Sequence, residues 1–338
     1  MNRSPSSFSH RIVLTGASGT LGGNFLRQVQ ERNDVRVLAL LRPESRANIE
    51  GPNVEVARLD SFDRVHLDAI LRQFQPTSVV HCAATGMEFP KTAWFDLIRF
   101  NVDLTVNLCE CAAAIPGCQF VYVSTGLAYR PQGRPLTEDD TLDTQHPYGA
   151  SKAAADLLVR SAAAEFDVPL TVLRPFGFTG IGDDRTRLFP SLLRAAATGR
   201  TMAMSPGTQV RDHCSAQDIA HGIWRAIETG QANPASATDP RSAAHTRIYN
   251  LGSGRLDPLC TLLTGVVAEL GLDIDLQFGM LPFSRFEPMH LVADTTRARS
   301  ELGWQPRQNL AHAVWQLAQS SFPGLSVREP QKEPRELA

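Results

Sequence analysis

Tyr148 and Lys152 are the residues of this chain whose types and spacing most directly suggest chemistry. In Tyr148-Gly-Ala-Ser-Lys152 they stand four apart, so on a helix they share one face. A neutral phenol is a poor base at pH 7. A neighbouring ammonium favours the phenolate and lowers its pKa. The same ammonium can hold the ribose hydroxyls of a nicotinamide cofactor, orienting the cofactor and tuning the acid–base group at once. With 4 tyrosines and three lysines (Lys91, Lys152, Lys332) in 338 residues, a chance Tyr-x-x-x-Lys is expected only about 0.04 times. Arginine supplies the other 30 of the 33 basic residues. An ammonium kept one turn from Tyr148 is therefore informative, because arginine could not offer the same compact donor.

Two further groups share that chemistry. Val121-Tyr-Val-Ser124-Thr125 is a short apolar strand ending in hydroxyls. At the carboxyl end of a parallel strand these lie in the ligand crevice, where Thr125, with Ser124 as its rival, could meet a substrate oxygen. Near the N-terminus an apolar run leads into Thr15-Gly16-Ala17-Ser18-Gly19-Thr20-Leu21-Gly22-Gly23. Gly16 permits a tight turn, Gly19 lets backbone approach a pyrophosphate, and Gly22 lets the helix sit close to the sheet. Ser18, Thr20 and Leu21 complete the turn, and the helix offers its free N–H groups and positive dipole end to phosphates.

The second strand ends Leu40-Leu41-Arg42-Pro43 with no acid to bind an adenosine ribose. Arg42 therefore favours NADP(H), with NAD(H) the alternative. Asp60, after the third strand, is placed either to meet the adenine amino group or to help start the next helix.

These residues need a frame, and the pattern supplies one. Strand-like runs at Ile12–Thr15, Val35–Leu41, Asn53–Leu59, Ser78–Cys82, Gln119–Val123 and Leu170–Arg174 alternate with helical segments. The longest helices are expected at Ala93–Ile115 and Tyr148–Phe166. That alternation predicts an α/β fold, a doubly wound parallel sheet of Rossmann type. After Arg174 helical periodicity dominates, as in Leu259, Leu262, Leu263, Val266, Val267 and Leu270, with one late strand at Arg247–Leu251. The expected division is a dinucleotide-binding domain of 1–175 plus about 213–252. A smaller, mostly helical substrate region takes 176–212 plus 253–322, and 323–338 is a flexible tail. Gly230–Thr246 reads as a surface loop.

Composition narrows the class. A net charge of −2 argues against a phosphate-hugging nucleic-acid binder and a polybasic membrane-surface protein. No long apolar run suggests a membrane span, and no apolar leader precedes the first strand. The 6 cysteines make no zinc-ligand pattern, so no metal is expected. They read as reduced, mostly buried thiols of a cytoplasmic protein.

Taken together, the motifs resemble the extended short-chain dehydrogenases/reductases, specifically the NAD-dependent epimerase/dehydratase family that modifies nucleotide sugars. The resemblance runs nearly the whole chain. It rests on the glycine turn, His81-Cys-Ala-Ala84, Asn101-Val102, Val123-Ser-Thr125 with Tyr129, and Pro147-Tyr-Gly-Ala-Ser-Lys152. Leu173-Arg-Pro-Phe176, Arg211-Asp212 with Asp218, Tyr249-Asn-Leu-Gly-Ser-Gly254, and Asp294 to Arg299 with Leu302-Gly-Trp304 complete it. It implies Tyr148 as the acid–base residue, Lys152 as its partner and Thr125 as the family's catalytic hydroxyl. It also implies cofactor contacts at Ala83 and Ala84, and a diphosphate contact at Arg211. Members often dimerise through paired long helices, here 93–115 and 148–166.

Departures from the family bear on the reaction. The 4,6-dehydratases of the family carry an Asp-Glu pair directly after the threonine, where this chain has Gly126-Leu127. A substrate-contacting asparagine of the family is replaced by Gly177. The leading expectation is an NADPH-dependent 4-ketoreductase of a nucleotide sugar, as in deoxysugar biosynthesis, with Tyr148 donating the proton. The alternatives are an NAD-dependent 4-epimerase, a reductase of a non-sugar carbonyl suggested by Gly177, and a non-catalytic NADP sensor, which the intact Tyr148–Lys152 pair disfavours.

Overall fold

A computed structural model describes residues 8–45, 47–87, 92–199, 201–232 and 246–330. Seven strands form one parallel sheet: β1 (His10–Thr15), β2 (Val35–Leu41), β3 (Val54–Arg58), β4 (Ser78–His81), β5 (Gln119–Val123), β6 (Leu170–Pro175) and the late strand β11 (Thr246–Leu251). Their order is β11-β6-β5-β4-β1-β2-β3. The chain winds outward from β1 in one direction and from β4 in the other. The crevice at the strands' carboxyl ends therefore opens between β1 and β4.

The inner strands are apolar runs because both faces are covered, whereas the edge strand β3 (Val-Glu-Val-Ala-Arg) is half-exposed. On one face α1 (Thr20–Val29) and α7 (Ala216–Ala232) bury Phe25, Ile219, Ile223 and Trp304 against β1 and β2. On the other, α2 (Arg64–Phe74), α4 (Leu104–Ala113) and α5 (Pro147–Glu165) bury Leu67, Leu108, Phe120 and Val159.

The helix expected at 93–115 is not uniform. It runs as α3 (Trp94–Leu97), a wide π-helical turn (Ile98–Asp103) and then α4. The π turn swings Asn101 inward. Its side chain donates to Thr85 O and Ser151 Oγ and accepts from Thr85 N, at 2.9, 2.8 and 2.9 Å. Such turns interrupt helices where a side chain must be re-aimed.

Past β6 come β7 (Gly177–Thr179), α6 (Leu188–Ala197), β8 (Met202–Ala203), β9 (Val210–Arg211) and β10 (His213–Ser215). After β11 come α8 (Leu259–Leu270), β12 (Leu276–Gln277), β13 (His290–Leu291), α9 (Thr296–Leu302) and α10 (Leu310–Ser321). A separate core joins α6, α8 and α10 through Phe189, Leu192, Leu263, Val314 and Leu317.

The expected division differs from this packing in two places. Although they fall within 253–322, α9 and Trp304 pack on the sheet's helix layer, where Trp304 Nε1 donates to Asp218 O at 2.8 Å. The segment from 323 to 330 also packs instead of fraying: Leu325 and Val327 lie on the second core, and Arg328 N donates to Leu270 O at 2.8 Å. Of the loop expected at 230–246, 230–232 end α7 and 246 opens β11, and the rest lies outside the described residues. No described helix is long and apolar enough to cross a membrane.

Candidate active site

The glycine turn is built as a cradle. Gly16 takes φ +74°, and a Cβ there would lie 2.6 Å from Ala83 N. A Cβ on Gly22 would lie 2.3 Å from Gly16 O, so the helix can approach the turn only without one. Gly19 is the N-cap of α1 and gives its first turn no side-chain cap. Those amides therefore face the crevice, which suits a dinucleotide's pyrophosphate. Thr20 Oγ1 donates to Gly182 O at 3.1 Å, and Asn24 Nδ2 to Ile181 O at 2.9 Å. The 181–183 segment is thus strapped to the start of α1. Ala83 N donates to Thr15 Oγ1 at 3.3 Å. Ser18 is exposed at the tip of the turn and is not among the residues lining the cleft described next.

One cleft of about 770 Å³ runs from this turn to the start of α5. Gly16, Gly19, Thr20, Leu21, Gly22, Ala84, Ser124, Thr125, Tyr148, Gly177 and Arg211 line it, all singled out in the sequence. Arg187, Asp184 and Thr186 join them without having been foreseen. Met87, Phe176 and Phe178 add apolar wall to the cleft.

Tyr148 is the second residue of α5, and Pro147 occupies the first position with its fixed φ. Lys152 follows one turn later, fully buried. Its Nζ donates to Val123 O at 2.7 Å and sits 4.2 Å from the Tyr122 ring centre. Burial pulls the Lys152 pKa down to about 7, against the opposing pull of Cys82 and Asp156. Burial likewise pushes the Tyr148 phenol up to about 12, opposed by Arg187. The expectation that a neighbouring ammonium lowers that phenol is outweighed here by the cost of burial. With its pKa there, the tyrosine holds its proton at neutral pH.

Thr125 ends the strand side of the cleft. Its Oγ1 accepts Leu127 N at 3.2 Å and so caps the short turn at Gly126–Ala128. Its hydroxyl hydrogen remains to donate. Ser124 Oγ is buried without a well-formed hydrogen bond.

The two residues expected to meet an adenosine, Arg42 and Asp60, lie at a separate cavity of about 300 Å³. They line it with Arg99 and the carboxylates Glu44, Asp63 and Asp103. Arg42 Nε lies 3.2 Å from Glu44 Oε1. Asp60 does not start the next helix; Asp63 does, accepting His66 N at 3.0 Å.

On the substrate side Arg211 Nη1 donates to Glu287 Oε1 at 3.0 Å. Arg187 is held by Asp183 at 2.9 Å and lies 4.8 Å from the Phe178 ring centre. Next to Arg211, Asp212 accepts the amides of Ser253, Gly254 and Ala293 at 2.6, 2.9 and 3.1 Å. The distant Arg-Asp and Gly-Ser-Gly motifs are therefore one structural joint.

The model of the NAD dependent epimerase/dehydratase family matches residues 12–252. The chain belongs to this family. It is accordingly an enzyme of short-chain dehydrogenase/reductase type, in a family that modifies nucleotide sugars. A UDP-glucose 4-epimerase of Lactobacillus helveticus is 26% identical over 322 residues, covering 88% of this chain and 92% of that protein. A dTDP-4-dehydro-6-deoxy-D-allose reductase of a Streptomyces species is 28% identical over 239 residues, covering 65% of this chain and 73% of that protein. In fold, the chain matches a UDP-glucose-4-epimerase of Stenotrophomonas maltophila, solved with bound NAD and formylated UDP-arabinopyranose. That match has a TM-score of 0.80 at 20% identity, over 92% of this chain and 97% of that one.

Within the epimerase/dehydratase family, the two departures now have steric reasons. A Cβ on Gly126 would lie 2.8 Å from the Phe176 ring, so an aspartate there would need that ring to move. A Cβ on Gly177 would lie 2.2 Å from Asp212 O, because β7 pairs closely with β10. Gly177 thus serves the pairing of two strands, and any polar substrate contact must come from elsewhere in the cleft.

Proposed function

We propose that this chain is an NAD-dependent 4-epimerase of a nucleotide sugar, with Tyr148 carrying the proton of the sugar's C4 hydroxyl. The observation that carries the cofactor half is the Arg42–Glu44 pair at 3.2 Å in a cavity whose carboxylates outnumber its arginines. A 2′-phosphate there would meet repulsion from Glu44 and Asp60, whereas a ribose diol would not. The strap from 181–183 onto α1 also suits a cofactor retained through a cycle.

A bound nicotinamide dinucleotide would be held by the glycine turn and Lys152, and supplies reversible hydride acceptance. The protein's own part is acid–base. Tyr148 Oη exchanges the proton with the substrate oxygen. Thr125 Oγ1 hydrogen-bonds the same oxygen, and the Lys152 ammonium favours the phenolate when it forms. Arg211 faces the diphosphate.

The second reading is NADPH-dependent 4-ketoreduction, in which Tyr148 donates its proton once. It is favoured by Arg42 at the end of β2 and by the likeness to an allose reductase. Anaerobic fluorescence titration separates the two. NADH is expected to bind at least about tenfold more tightly than NADPH. The reverse order would overturn the epimerase reading and favour the reductase.

We also propose a homodimer through α3, α4 and α5. α3 with the π turn and α5 with its C-cap leave Trp94, Phe95, Ile98, Leu157, Leu158 and Phe166 exposed, each by more than 40%. Leu158→Glu is expected to halve the mass seen by light scattering. An unchanged mass would place the interface elsewhere or show a monomer.

A further inference from the structure

We propose that His146 is a proton-sensitive positioning residue: when neutral its ring caps the helical turn that carries Tyr148, and its protonation releases that cap. His146 is the N-cap of α5, and its Nδ1 accepts Gly149 N at 3.4 Å. Helices usually begin on Ser, Thr, Asp or Asn, whose oxygens can accept across the neutral and mildly acidic range. An imidazole accepts only when neutral, with its hydrogen on the other nitrogen. The cap therefore fixes His146 as the Nε2–H tautomer.

The capped turn also meets the second site hydroxyl. A Cβ on Gly149 would lie 2.2 Å from Leu127 O, so the turn packs directly on the Thr125 loop. Thr125 Oγ1 in turn accepts Leu127 N. The His146 ring stands edge-on to Tyr148 at 6.4 Å and to Phe286 at 6.1 Å.

The charged groups around it are mixed. Arg211 comes from β9, Arg285 and Glu287 from the segment before β13, and Arg130 and Asp143 from the loop before α5. Burial first and Arg211 second hold the His146 pKa below its ordinary 6.5, with Glu287 opposing. The sign follows. The cap is complete above that ordinary value and is lost as pH falls through the lowered folded one. Protonation would also set a cation at the positive end of the helix dipole.

The inference rests on the proposed role of Tyr148, but its first readout does not. Hydrogen exchange of the 144–152 segment is compared at about pH 5 and about pH 7.5, corrected for intrinsic rates, in the full chain. Wild type should lose protection at the acidic pH by about fivefold. His146→Asn, which accepts at both, should lose less than about twofold, and His146→Ala should be unprotected at both. In turnover of UDP-glucose, His146→Asn should move the acidic limb of kcat to lower pH with KM little changed. An Asn variant that loses protection as wild type does, or a wild type equally protected at both pH values, overturns the proposal. A chain that turns over no UDP-sugar would count against the epimerase reading, while exchange still decides the cap.

Discussion

Tyr148→Phe is expected to lower turnover of a nucleotide sugar by about 10³-fold, within the range for loss of a positioned acid–base group. The substitution removes one oxygen and keeps the ring. Tyr148 is only 9% exposed, so the ring's packing is most of what it contributes to the fold, and the melting temperature should change little. Binding of NADH should also persist, because the glycine turn and Lys152 are untouched. The measurement is kcat beside Tm and NADH affinity for the same preparation. Turnover near the wild-type rate would show that another group moves the proton, and Thr125 would be the first to examine. A parallel collapse of Tm would instead make the loss structural. The direction of proton transfer at rest is set by burial. With the phenol pushed up to about 12, the tyrosine starts as a donor and needs nearby positive charge to act as a base. Arg187 is the cation whose charge already opposes that rise.

Much of this was legible in the sequence where the signal is local. The glycine spacing, the apolar runs of the inner strands and the Tyr148–Lys152 pair are each carried by residues only a few positions apart. Gly16 and Gly22 are required for the close approaches their spacing suggested. Contacts formed across long separations were not legible. Nothing near Asp212 shows that it will take the amides of Ser253 and Ala293, and nothing near Gly126 shows that Phe176 will fill the space of an acid. The π turn at 98–103 is hidden because one extra residue per turn barely disturbs a helical pattern. Arg42 is a different case. Glu44 stands two residues away in the sequence, and weighing it would have tempered the preference for NADP(H).

The largest expected effect on stability comes from a residue that sequence periodicity does not single out. Tyr148, Lys152 and Asp156 form one i, i+4 stripe along α5. Asp156 is fully buried and takes both Arg174 Nε and Nη2, at 2.9 and 3.0 Å. Arg174 lies in β6 and also donates to Tyr129 Oη and Glu138 O, at 2.7 and 3.1 Å. Tyr129 Oη continues to Asn250 Oδ1 at 2.7 Å in β11. The stripe that carries the proposed acid–base pair is thus bolted to two strands through one carboxylate. Asp156→Ala leaves a buried guanidinium without its partner, which typically costs about 3–5 kcal/mol. Denaturant unfolding should show that loss as a lower midpoint at unchanged slope. Replacing both partners, Asp156→Leu with Arg174→Met, should recover most of it, because the cost lies in the uncompensated charge more than in the missing attraction. Arg160 reaches Asp156 at 3.7 Å but is partly exposed, so water can serve it when the carboxylate goes. A loss under about 1 kcal/mol in the single variant would mean that the remaining acceptors around Arg174, Tyr129 and Glu138 O, suffice for its charge. The position of the catalytic stripe would then depend on the packing of Val159 and Ala155 against the sheet, and not on the ion pair.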